Sequence, residues 1–350
     1  MRGIFIAFAF LPYAASLVSG WKSSVATQIC RRKLSMTAAI DETTMEQQYL
    51  QIKEGVLAMV AGKENSENLS DTQKQFITIF SEFLEGYTAS CLEAKESPEN
   101  FKTSVYTLLK TVQAQGKTPF KFEPYHQAVR APFDYYTWGN NFMRPLIIDA
   151  DSKLHGVENF HRIQELLSKG ENVVILSNHQ TEADAQVFSI LLEREKAGFE
   201  NLAEKSIFIA GHKVTNDPIA IPFSMGRNLI CIHSKKHIKN PPEDQPRKSS
   251  ENLMSMTAMG ELMSKGGHLF WVAPSGGRDR PDPETKRFVV SPFDVKAIDM
   301  FKLMAMQSKK PLHFFPMAMY TNKLIPPPDT VLLTACLPKF WYSVLISAFW

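Results

Sequence analysis

Glu171-Asn-Val-Val-Ile-Leu-Ser-Asn178, followed at once by His179-Gln-Thr-Glu-Ala-Asp184, is the stretch on which the fold turns. The first part is a short, continuous apolar run. That pattern fits a strand buried on both faces better than one with a wet side, which would alternate apolar and polar residues. A helical pattern follows from about Glu182 to Glu195. The same pairing recurs downstream. Ser206–Ala210, Asn228–His233, His268–Ala273 and Leu312–Met317 read as strands, and Phe160–Leu167, Ser250–Lys265 and Phe293–Met306 read as helices. Strands alternating with helices predict an α/β domain over residues 120–330, with a mixed, mostly parallel sheet covered by helices.

Upstream, residues 41–116 predict a small helical bundle. Met45, Tyr49, Ile52, Val56 and Val60 recur at helical spacing. A second helix opens near Ser70-Asp-Thr-Gln and carries Ile77, Phe80, Phe83 and Leu84. A third starts at Ser97-Pro-Glu-Asn, with Ser97 suited to the N-cap and Pro98 to the first turn, and its stripe is Phe101, Val105, Leu108, Leu109 and Val112. Gly116–Pro119 reads as a hinge. Of the 350 residues, 44% are hydrophobic and 21% charged, an ordinary globular balance. The net charge of +3 is too small to mark a nucleic-acid binder. Four scattered cysteines with no CxxC spacing give neither a zinc ribbon nor a disulfide framework, and fit a reducing compartment.

The first 40 residues read as an address. Arg2 precedes an apolar run, Gly3–Val18, and a small-residue segment ending at Gly20, the layout of a signal peptide. Residues 21–40 are basic, hydroxylated and free of acids until Asp41, the composition of a transit peptide. A secreted protein or a membrane anchor is the alternative reading. The two-part layout resembles the leader used for plastids of secondary endosymbiotic origin, which implies the plastid stroma.

Chemistry concentrates in three loops. In the first, five residues separate His179 from Asp184, so on a helix they would point about 140° apart. They meet only if His179 stands in the loop past the strand, at the sheet edge where ligands bind in open α/β sheets, and Asp184 in the first helical turn. Asp184 would then orient the imidazole, and the free nitrogen could take a proton from a hydroxyl. The competing reading makes Thr181 an N-cap, Asp184 an acid favoured by the helix dipole and His179 a plain loop residue. The second loop region, Phe223-Ser-Met-Gly-Arg-Asn228 with Ser234-Lys-Lys-His237, offers Arg227, Lys235, Lys236 and His237. The third, Ala273-Pro-Ser-Gly-Gly-Arg-Asp-Arg-Pro-Asp-Pro283, offers Arg278 and Arg280, with Gly276 and Gly277 able to bend the backbone around a ligand. Such a cluster in a nearly neutral chain suits a small phosphorylated ligand, although solvated loop charges are the simpler reading. Neither a P-loop nor a GxSxG elbow is present.

These blocks, with Ile325-Pro-Pro-Pro328, resemble in order and spacing the soluble plastid glycerol-3-phosphate acyltransferases, over about residues 45 to 330. The resemblance implies a helical bundle on an α/β domain and acyl transfer to the sn-1 hydroxyl of glycerol 3-phosphate. It implies His179 as base, Asp184 as its orienting partner, and Lys236, His237, Arg278 and Arg280 as phosphate ligands. Lys235, Arg227, Gly276 and Gly277 would support them. Acyl carrier protein or coenzyme A would carry the acyl group, with no metal or other cofactor. A monomer with at most peripheral membrane contact is expected. Three features depart from the family pattern: Ala185-Gln-Val after the aspartate, His212-Lys213 where an Asp-Arg pair is usual, and the apolar tail 331–350. The tail reads as a mis-spliced or truncated end, with a membrane-dipping tail as the alternative. Other functions remain open: a catalytically weak lipid-binding relative, an sn-2 acyltransferase, and a metal-dependent phosphohydrolase with His179 and Asp184 as ligands.

Overall fold

The computed structural model describes residues 5–7, 44–60, 71–148, 150–195, 198–235, 237–322 and 324. Most of the two expected leader segments, Lys236 and the tail 331–350 lie outside them. The described residues fall into two compact units, one from 44 to Leu109 and one from Lys110 onward that also takes in Phe5–Ala7.

The first unit is helical: α1 (44–60), α2 (Asp71–Glu93) and most of α3 (Pro98–Lys117). The expected stripes form its core. Tyr49, Val56, Phe80, Leu84, Phe101, Val105 and Leu108 are fully buried, and the Tyr49 ring stacks on Phe101 at 4.3 Å. Ser97 caps α3 by accepting the Asn100 amide at 3.1 Å. The helix ends at Lys117, within the residues read as a hinge, and the two units divide inside it at Leu109 and Lys110.

The second unit is the α/β domain. In chain order it contains the strand β1 (Phe5–Ala7), α4 (Tyr135–Met143), β2 (Lys153–Leu154), α5 (Val157–Ser168), β3 (Asn172–Ser177), α6 (Asp184–Arg194), α7 (Glu200–Lys205) and β4 (Ile207–Gly211). There follow α8 (Ala220–Met225), β5 (Asn228–Ile232), α9 (Gln245–Lys265), β6 (Leu269–Val272), the ribbon β7 (Arg280–Pro281) with β8 (Phe288–Val289), α10 (Val295–Ser308) and β9 (Leu312–Tyr320). The main sheet has the order β2-β1-β9-β3-β6-β4-β5. Its five strands from β9 to β5 are mutually parallel, and β1 joins antiparallel to β9. The residues set aside as an address thus include a short segment paired between β2 and β9.

Alternate residues of each strand serve opposite faces, so both faces must be apolar. Val174, Leu176, Phe270 and Val272 pack against Met259 and Met263 of α9 and Phe301 of α10. On the other face Trp271 meets Phe208 at 5.8 Å, Phe208 meets Phe188 of α6 at 6.1 Å, and Phe188 meets Phe160 of α5 at 6.2 Å. The burial of both faces explains why the strands read as unbroken apolar runs. The aromatic-rich segment Phe133-Asp-Tyr-Tyr-Thr-Trp138 leads into α4, which packs on α6 and α8. Cys91 and Cys231 are buried free thiols. Among the described residues, no helix is long and apolar enough to cross a membrane.

Candidate active site

Strands β3 and β6 are neighbours at the centre of the sheet. The chain leaves β3 toward β4 on one side and leaves β6 toward β9 on the other. Such a reversal opens a crevice at the carboxyl edge of a parallel sheet. The His179 loop and the Arg278 loop both emerge there.

His179 stands two residues past β3, and Asp184 is the first residue of α6. The loop between them folds the pair together, with His179 Nδ1 2.7 Å from Asp184 Oδ2. Asp184 is buried (1% exposed) and its carboxylate is fully engaged. Oδ2 also accepts the amides of Gln180 at 2.8 Å and Thr181 at 3.3 Å, and Oδ1 accepts the Thr321 hydroxyl at 2.5 Å. A buried carboxylate with four donors is an acceptor only, so Nδ1 carries the proton. Nε2 is the nitrogen left for a substrate. Burial disfavours a charged imidazole, but the hydrogen bond and charge of Asp184, with Glu182 adding, outweigh it and hold the His179 pKa above its ordinary 6.5. The Arg278 charge pulls in the opposite direction. The Trp271 ring lies edge-on to His179 at 6.1 Å.

Thr181 is not the N-cap of the competing reading, since Ala183 holds that position with no side-chain cap. Thr181 does shape the turn, through its carbonyl to the Asp184 amide at 3.1 Å. The same turn aims Asp184 back at His179.

Residues that carried no separate signal hold the loop. Asn178 donates to Asp279 Oδ2 at 3.0 Å and to the Met319 carbonyl at 2.9 Å, and it accepts the Met319 amide at 2.7 Å. Gln180 accepts the Thr321 amide at 2.8 Å. Asp279, with no exposure at all, donates its amide to the His179 carbonyl at 2.6 Å and accepts the Ser291 amide at 2.9 Å. Asn178 and Gln180 flank His179, and Asp279 lies between Arg278 and Arg280, so an alternation of polar side chains around each expected site residue was the available signal. Thr321 offered none, because its contact spans 137 residues.

The expected basic residues are distributed unevenly. Arg278 is 10% exposed and its guanidinium lies 3.2 Å from Glu182 Oε1. Arg280 starts the β7–β8 ribbon; burial and the neighbouring Arg278 lower its pKa. Gly276 has φ 69°, a left-handed conformation that favours glycine, and its amide closes a turn on the Ala273 carbonyl at 3.0 Å. Nothing lies within 4 Å of a side chain added at Gly276 or Gly277, so the turn borders open space. Lys235 is 74% exposed and pairs with Asp294 at 3.4 Å. Asp294 in turn donates its amide to the Pro274 carbonyl, which joins the loops after β5 and β6. His237 is exposed.

Arg227 departs from the expectation. It is buried (3% exposed), donates to Ser189 Oγ at 2.7 Å and to Asn140 Oδ1, and lies over the Tyr136 ring at 4.8 Å. Its pKa is lowered to about 10 by burial. These partners belong to α4 and α6, so the guanidinium ties helices together in the interior. Phe223 of the same block packs between Trp138 and Phe142. The block around residues 223–228 therefore ties the start of β5 to α4 and α6.

Residues 152–320, which include His179, Asp184 and Arg278, match the Acyltransferase family. The chain is thus similar to that family over much of its α/β unit. It is 40% identical over 252 residues to a chloroplastic glycerol-3-phosphate acyltransferase of Cucurbita moschata, covering 71% of this chain and 54% of the relative. A second such protein from Cucurbita moschata is 45% identical over 213 residues, 61% of this chain and 47% of the relative. The Arabidopsis thaliana protein of that name is 41% identical over 213 residues, 61% of this chain and 46% of the relative. The chain spans about half the length of the curated relatives it matches. The matched region lies within the α/β unit and includes both central loops.

Proposed function

We propose that the domain transfers an acyl group from a thioester to the sn-1 hydroxyl of glycerol 3-phosphate. The observation that carries the reading is the hydrogen bond between half-buried His179 and buried Asp184, with the Arg278 charge acting on the imidazole. Nε2 of His179 takes the hydroxyl proton as the oxygen attacks the thioester carbonyl. The C–O bond forms, the C–S bond breaks, and the imidazolium returns the proton to the departing thiolate. Asp184 keeps Nδ1 protonated and steadies the imidazolium. No covalent acyl-enzyme is required.

Arg278, Arg280 and the lysine-rich loop after β5 hold the phosphate, and the remote anion positions the hydroxyl at His179. Arg278 exchanges Glu182 for the phosphate. Acyl carrier protein or coenzyme A presents the acyl chain, and the chemistry uses no metal or further cofactor. The names of the relatives support a plastid location, and the leader composition supports import into the stroma. The chain works as a monomer with at most peripheral membrane contact.

The test is an assay of full-length protein with glycerol 3-phosphate and acyl thioester, with and without chelator. Acyl transfer that is insensitive to chelator and lost by about 10²- to 10⁴-fold in His179→Ala is expected. Chelator-sensitive phosphate release without acyl transfer, or near-normal transfer in a folded His179→Ala protein, overturns the reading.

A further inference from the structure

His212 and His233 leave neighbouring strands side by side. β4 and β5 are parallel, with Gly211 opposite Ile232, and the next residue on each strand is a histidine. Their rings are stacked at 3.7 Å with 7° between planes. Glu251, on α9, places Oε2 2.6 Å from His233 Nε2. One donor atom from each of His212, His233 and Glu251 lies within 4.8 Å of the others. None of the three belongs to the His179 site, and His212 stands where the sequence departs from the family pattern.

The surroundings are those of a held site. The His233 backbone is clamped by Asn252, which accepts its amide at 2.8 Å and donates to its carbonyl at 3.0 Å. Ser255, further along the same helix, bonds the Cys231 carbonyl at 2.8 Å. Arg247 engages the other Glu251 oxygen at 2.7 Å, which leaves Oε2 aimed at His233. His212 Nε2 is buried and has no hydrogen-bond partner. A buried nitrogen without a partner costs free energy unless something accepts its lone pair or its proton.

We propose that His212, His233 and Glu251 bind a divalent first-row transition cation such as zinc. Two imidazoles and one carboxylate are a recurrent donor set for that ion, with a water completing the tetrahedron. His212 contributes the unpartnered Nε2. The cation replaces the proton shared by His233 Nε2 and Glu251, and Arg247 acts as the outer partner that orients the carboxylate. Because stacked rings point their lone pairs in parallel, one ring turns and the donors close to about 3.3 Å apart, as bonds of about 2.0–2.1 Å require. The shift is on the order of an ångström. The cation staples β4, β5 and α9 beside the Lys235 loop. It does not enter the acyl-transfer chemistry, and the inference stands whether or not that chemistry is as proposed.

The test uses the full chain, stripped with chelator and dialysed, then titrated with zinc by calorimetry and with cobalt by visible absorption. One cation per chain, the absorption of four-coordinate cobalt and a zinc-dependent rise in Tm are expected. His212→Asn and Glu251→Gln should each weaken zinc at least tenfold, while His179→Ala keeps the stoichiometry. Should either variant fail to fold by circular dichroism, the cobalt spectrum of the unmodified chain decides. No cation-dependent change in the unmodified chain, or zinc binding unaltered in folded His212→Asn protein, overturns the proposal.

Discussion

At the residue scale, the decisive fact is that one carboxylate oxygen of Asp184 serves three donors at once, His179 Nδ1 and the amides of Gln180 and Thr181. The pair is rigid before any substrate arrives. Its electrostatics fix the pH profile. A general base must be neutral, and His179 has a raised pKa, so kcat/KM should fall about tenfold per unit as pH drops below that value. Asp184→Asn removes the contributions that raise the pKa, so the acid limb should move to lower pH while kcat falls by about 10²- to 10⁴-fold. A pH–rate series on both proteins checks this; an unmoved acid limb would show that another group titrates. Arg278→Ala should raise the KM for glycerol 3-phosphate about 10- to 100-fold, as the loss of charge-assisted hydrogen bonds to phosphate predicts, with little change for the acyl donor. Steady-state kinetics varying each substrate separates the two.

At the scale of elements, helix caps and strand limits follow local rules, but the corners between elements do not. Gly226 ends α8, and a side chain there would come within 2.5 Å of the Tyr135 carbonyl oxygen at the start of α4. Backbone cannot yield as a flexible side chain can. Gly226→Ala should therefore cost about 1–3 kcal/mol, measured as a lower denaturation midpoint, without altering the His179 titration. The Arg227 network belongs to the same corner. In the sequence, Arg227 looked like a member of the basic cluster because it lies near Lys235 along the chain. In space β5 separates them, and the arginine turns inward to Asn140 and Ser189. α4 shares that corner, packing on both α6 and α8.

At the scale of the whole α/β unit, Asp279 couples three segments far apart in sequence. It receives Asn178 from the β3 loop and Ser291 from the segment before α10, and Asn178 itself grips β9 through Met319. Asp279→Ala would leave buried donors unpaired, at about 1–3 kcal/mol each before relaxation, and should lower both Tm and kcat. Thermal unfolding and rate measured on one preparation check it; normal values for both would remove the coupling. What the sequence determined by itself is whatever depends on neighbours along the chain: the buried-strand runs, the helical stripes, the Ser97 cap, and a histidine placed at a strand end with an acid at the next helix start. Those are set by period, propensity and turn chemistry within about ten residues. What only the tertiary structure decided is which polar groups converge. Thr321 on Asp184, Asp279 beneath His179, Arg227 buried away from the loops, and His212 against His233 all arise because strands distant in sequence become neighbours in one sheet, and sheet order is fixed by burying both faces at once.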